Sequence, residues 1–117
     1  MSTVEHLKIE EQGEVTVVYL REPRVTDPVE IEELGKQLYQ VLEFKNCAKV
    51  VVDFEDVEFL SSATIGKLIS LNRKAKACKA TLRFCNLRSE LRDIFHLCSL
   101  DRLFEVHDSK AAAIASF

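Results

Sequence analysis

Glycine and proline are scarce in this chain, three and two of 117 residues. Gly13, Gly35 and Gly66 stand far apart, so neither G-x-G-x-x-G nor G-x-x-x-x-G-K-[ST] occurs, and a glycine loop that cradles phosphate is excluded. The four cysteines, Cys47, Cys78, Cys85 and Cys98, form no C-x-x-C pair. Met1 to His6 carries neither a basic segment nor an apolar one, so no export signal is expected and a disulfide framework fits poorly. The cysteines are expected to be reduced, mostly buried, small apolar residues of a cytoplasmic protein. His96 and Cys98 are close in sequence, but two candidate ligands do not make four, and no metal is expected. Neither sign of charge dominates: 16 Lys and Arg stand against 19 Asp and Glu, a formal charge of -3. That balance argues against a nucleic-acid partner. No apolar run approaches the roughly 20 residues that span a bilayer, so no membrane partner is expected either.

What is present is an ordinary globular balance, 47% hydrophobic and 30% charged. The length suits one hydrophobic core and not two. No linker, low-complexity stretch or internal repeat divides the chain, so residues 1–117 read as a single domain with its core over about residues 4–116.

Leu7 and Ile9, followed by Gln12-Gly13, predict a short strand ending in a turn. Gly13 permits a hairpin into Val15–Leu20, a β-branched and aromatic run. Arg21-Glu22-Pro23-Arg24 breaks that strand, since Pro23 has no N–H to donate. Asp27-Pro28 predicts a helix start, with Asp as N-cap and Pro in the first helical position. Glu30, Glu32 and Glu33 then suit the positive end of the helix dipole. Ile31, Leu34, Leu38, Val41 and Leu42 share one face, and Asn46 is the expected stop.

Lys49–Phe54 is consecutively apolar rather than alternating, the pattern of a strand covered on both faces. Glu55–Leu60 reads as a short connection. Ser61-Ser62 opens a second helix to about Ala77, with Ile65, Leu68, Ile69 and Ala75 near one stripe. Thr81–Cys85 is a further strand, and Leu87, Leu91, Ile94, Phe95 and Cys98 recur at helical spacing. Leu103–Val106 predicts a short last strand. Asp108 or Ser109 caps a closing alanine-rich helix, Lys110 to Ser116. The order β-β-α-β-α-β-α-β-α requires crossovers between parallel strands. The expected class is α/β, one mixed sheet of about four to five strands flanked by helices.

Little in the sequence suggests catalysis. Ser61 and Ser62 stand at a strand-to-helix turn, but G-x-S-x-G is missing, and His6, His96 and His107 offer no evident partner. The chain is not expected to be an enzyme or to hold a cofactor. The serine pair suits modification better. Free backbone N–H groups lie at a helix start, and a phosphoryl group there adds about -1.5 to -2 charges. Glu55, Asp56 and Glu58 would repel it, so its effect falls on whatever docks at this surface. The plainer role for either serine is to cap the helix.

Val51-Val52-Asp53-Phe54 followed by Val57-Glu58-Phe59-Leu60-Ser61-Ser62-Ala63-Thr64-Ile65-Gly66-Lys67-Leu68 resembles the core of STAS domains, the family of bacterial anti-sigma factor antagonists with relatives in sulfate transporters. Thr81–Leu87 and the stretch from Leu91 to Phe104 are similar to later parts of the same family, so the resemblance covers almost the whole chain. It implies that Ser62 is the phosphoacceptor, with Ser61 as an alternative. It places Leu60, Ser61, Ser62, Ala63, Thr64, Gly66 and Lys67, with Arg24, on the partner-binding surface. Ser61 stands where the family has Asp, Ala63 at its second Ser/Thr, Thr64 at its first Gly and Gly66 at its retained Gly. Arg21–Arg24 replaces the family's Gly-x-Leu-Asp. The implied function is phosphorylation-controlled partner switching with an anti-sigma factor that is also a serine kinase, reset by a serine phosphatase. The alternative is a STAS scaffold or interaction module that is not phosphorylated. The oligomeric state stays open.

Overall fold

The computed structural model describes residues 6–44 and 49–117, apart from the Phe44 side chain. The expectations for Val4, Asn46 and Cys47 lie outside the described residues. In chain order the elements are β1 (Leu7–Gln12), β2 (Val15–Leu20), β3 (Arg24–Val25), α1 (Pro28–Phe44), β4 (Lys49–Asp53), β5 (Phe59–Leu60), α2 (Ser62–Ala77), β6 (Thr81–Cys85), α3 (Ser89–Leu97), a 3-10 turn (Leu100–Arg102), β7 (Glu105–His107) and α4 (Lys110–Ala115). Five strands form one mixed sheet in the order β1-β2-β4-β6-β7, the expected α/β class. β1 and β2 are the antiparallel hairpin, turned at Gly13 with φ of +63°. The pairs β2–β4, β4–β6 and β6–β7 are parallel.

The consecutive apolar residues of β4 divide as a two-sided strand must. Val50 and Val52 join the larger core with Ile31, Leu34 and Leu38 of α1, Leu68 and Leu71 of α2, and Leu91 and Phe95 of α3. Val51 faces the other way, into a small cluster with Val15, Val17, Cys85 and Ala113 of α4. α4 is only six residues long, too short to hold its own shape in water. It is fastened by Ser109, whose Oγ accepts the Ala112 N–H at 3.1 Å, and by Lys110, which donates to the Tyr19 hydroxyl at 2.8 Å. At its far end Arg83 donates to Ser116 at 2.9 Å and lies over the Phe117 ring.

Three expectations need correction. Arg21–Arg24 is not only a strand breaker and Glu55–Leu60 not only a connection: Arg24–Val25 and Phe59–Leu60 pair as a parallel two-strand ribbon apart from the main sheet. Two-residue strands carry no periodicity, and this ribbon exists because the Glu58 and Phe59 N–H groups both reach the Pro23 carbonyl. The cysteines are not mostly buried, because Cys78 and Cys98 are exposed at helix C-termini and only Cys85 of the described three is buried. The inward stripe of α2 is Thr64, Leu68, Leu71 and Ala75, with Ile65 and Ile69 half-buried at its edges.

Candidate functional site

The site is built where β4 ends. Asp53 is buried at the last position of that strand, and its two carboxylate oxygens hold two chain segments. Oδ1 accepts the Glu55 N–H at 2.8 Å, which turns the chain after β4. Oδ2 accepts the Asn86 side-chain amide at 3.1 Å, which ties that turn to the end of β6. Asn86 adopts φ of +60°, a left-handed conformation that Asn tolerates better than most residues. Beside this carboxylate, burial and the negative charge of Asp53 push the Cys85 thiol from its ordinary 9.0 up to about 12. Ionisation of that thiol therefore favours the unfolded chain. Its contribution to stability is complete below about pH 9 and is lost as pH rises towards 12. In a chain whose Cys47 is replaced by serine, a thiol reagent at pH 8 should label Cys78 and Cys98 at once and reach Cys85 only after denaturant is added. Rapid labelling of Cys85 in the native protein would contradict this account.

From Glu55 the chain passes through the β3–β5 ribbon and enters α2. Ser61 is the N-cap: its backbone is extended at φ -75° and ψ 162°, and its Oγ accepts the Thr64 N–H at 3.2 Å. The same Oγ lies 3.0 Å from the Thr64 hydroxyl. Thr64 is buried and points inward, so the Ser61 side chain is committed to closing the first turn. Ser62 begins the helix proper and is exposed, and its hydroxyl has no hydrogen-bond partner among the described residues. Ser61→Ala should cost about 0.5–2 kcal/mol in urea denaturation, the ordinary loss of a capping side chain, whereas Ser62→Ala should cost less than about 0.5 kcal/mol.

The other residues singled out from the sequence fall on both sides of this turn. Ala63 and Gly66 are exposed, and Lys67 is half-buried. Leu60 and Thr64 are buried beneath the surface and shape it from below. Lys67 crosses to α1, where its ammonium lies 2.6 Å from Glu32 and holds that exposed carboxyl below the usual range. Gly35 makes room for the crossing: a Cβ there would stand 3.0 Å from the Lys67 Cδ. Arg24, exposed on β3, lies across the ribbon with its guanidinium carbon 5.7 Å from the centre of the Phe59 ring.

His6 is the feature that sequence reasoning missed. Its ring is buried at the start of β1, with Nδ1 2.7 Å from Glu22 and Nε2 3.4 Å from Glu33. The Nδ1 contact is an ion-pair distance without the alignment of a hydrogen bond. The His6 N–H donates to Gln37 at 2.8 Å. The ring lines a crevice under the ribbon with Glu22, Leu34, Phe59, Leu60 and Thr64. No local pattern announces this, since the partners lie 16 to 31 residues away.

The chain is thus an α/β domain whose five-stranded mixed sheet carries, beyond the end of β4, a helix start capped by Ser61 and followed by the exposed Ser62. The sequence profile described as the STAS domain matches residues 6–113, and the chain belongs to that family. It is 25% identical over 93 residues to BtrV of Bordetella bronchiseptica, described as an anti-sigma factor antagonist, covering 80% of this chain and 79% of that one. The crystal structure of an anti-sigma factor antagonist from Mycobacterium paratuberculosis shares the fold with a TM-score of 0.80 at 22% identity, over 94% of this chain and 91% of that one. The phosphorylated form of SpoIIAA, the Bacillus cell fate determinant, shares it with a TM-score of 0.68 at 16% identity, over 94% and 97%. Among the described residues no helix is long and apolar enough to cross a membrane.

Proposed function

We propose that this chain is a cytoplasmic anti-sigma factor antagonist that works by phosphorylation-controlled partner switching, as substrate and ligand rather than catalyst. Unmodified, its α2 entrance docks on an anti-sigma factor that is also a serine kinase. In the modifying step the γ-phosphoryl group of ATP passes to Ser62 Oγ. The bond from that phosphorus to ADP breaks, the new P–O bond forms and the hydroxyl proton leaves to a base of the kinase. A serine phosphatase hydrolyses the ester and restores the hydroxyl. The observation that carries this reading is the division of labour between the two serines: Ser61 is held as the cap by Thr64, while Ser62 is exposed with its hydroxyl unengaged. Family membership and a related antagonist solved in phosphorylated form support it.

The test is mass spectrometry after incubation with a candidate kinase and ATP. One phosphate, on Ser62, is expected. Phosphate on Ser61 instead would move the acceptor by one residue. No phosphate on either serine, with binding to the anti-sigma factor intact, would establish the unmodified scaffold in its place.

A further inference from the structure

Arg24 is a cation with no anion paired to it among the described residues. Its guanidinium lies on the Phe59 ring and makes no ion pair or hydrogen bond among the described residues. Yet Glu55, Asp56 and Glu58 are all exposed on the connection that leads into the same ribbon. A guanidinium stacked on an aromatic face keeps its N–H donors free in the plane, where they match the oxygens of a phosphate in pairs. The ribbon also sets how far the Arg24 backbone stands from Ser62. Arg24 is in register with Phe59 and Val25 with Leu60, and Ser62 follows two residues later. With strands about 4.8 Å apart and Ser62 three residues on from Phe59, the Arg24 and Ser62 backbones are on the order of 10 Å apart. A long arginine and a phosphoserine close that span from both ends.

We propose that Arg24 reads the phosphate on Ser62: in the unmodified chain its fork is offered to an acidic group of the partner, and in the modified chain the same fork is taken by the phosphate of its own chain. One phosphate then acts twice, by adding negative charge to the docking surface and by withdrawing a cation from it. The inference rests on the reading that Ser62 carries the phosphate. Its test needs no kinase, so the two can fail separately.

Phosphoserine is installed at position 62 by genetic code expansion, and its second ionisation is followed by phosphorus NMR against pH. A nearby cation favours the dianion, so the midpoint should lie lower in the phosphorylated protein than in its R24Q variant. The expected difference is about 0.2–0.7 pH units, the range an exposed ion pair supplies. The three acidic neighbours are the same in both proteins and cancel in the comparison. The difference should shrink in 1 M salt. R24K keeps the charge without the fork and should fall between the two. Equal midpoints in low salt for the phosphorylated protein and its R24Q variant would overturn the proposal. Failure of every kinase to modify Ser62 would instead remove the switching reading and leave this titration to return its own answer.

Discussion

Ser62→Asp should lower affinity for the anti-sigma partner at least tenfold, about 1.4 kcal/mol by calorimetry, and leave the fold intact. Both halves of that expectation come from the position of the side chain. Ser62 is the first residue of α2, exposed, and its hydroxyl is not used to hold the helix. A carboxylate at the first turn of a helix is favourable, by about 0.3–1 kcal/mol, so thermal stability should hold or rise slightly. The same carboxylate joins Glu55, Asp56 and Glu58 on one surface, and any partner shaped for a neutral hydroxyl meets a larger, charged group. Ser62→Ala should bind as the natural chain does and resist inactivation by kinase and ATP. Equal affinity of the Asp variant and the natural chain would remove the switch from Ser62. A loss of folding in the Asp variant would contradict the capping geometry, which assigns the structural role to Ser61.

Phe84→Ala should destabilise the domain by about 3–5 kcal/mol in urea, which is a large share of the roughly 5–15 kcal/mol that holds a domain together. Phe84 is fully buried on β6 at the centre of an aromatic cluster. It stacks on Phe104 with centroids 4.3 Å apart, and meets Phe54 at 5.0 Å and Phe95 at 6.0 Å. The cavity left by its removal would lie between β6, α3 and the segment after the 3-10 turn, and β6 cannot move in to fill it without breaking its pairing with β4 and β7. Leu97→Ala gives the contrast: Leu97 is 80% exposed at the end of α3, and its truncation should change stability by less than about 0.5 kcal/mol. Similar midpoints for the two variants would show that the aromatic cluster does not form the core.

Much of this was legible before the structure because local rules and global packing agree. Asp27-Pro28 starts α1 as expected, with Asp27 Oδ1 accepting the Val29 N–H at 2.8 Å, and the five apolar residues predicted inward on that helix are all buried. The unbroken apolar run of β4 announced a strand covered on both faces. Ser61-Ser62 opened α2 at the expected place. The readings that failed depended on partners distant in sequence. Cys98 continues the helical spacing of Leu91 and Phe95, but α3 ends at Leu97 and the cysteine turns outward past its last turn. The β3–β5 ribbon is held by backbone groups, which are the same in every residue and leave no signature in side-chain pattern. His6 lies between Glu22, brought beside it by the β1–β2 hairpin, and Glu33, carried to it by α1.

The sequence by itself determined the periodicities, the caps and the single core, because these follow from spacing and side-chain chemistry within a few residues. It also determined that two hydroxyls stand together at a helix start. Only the tertiary structure decided which hydroxyl is spent on the cap and which is left free, since that depends on Thr64 turning inward to meet Ser61. It alone laid Arg24 over the Phe59 ring, because pairing between β3 and β5 joins residues 35 apart in the chain.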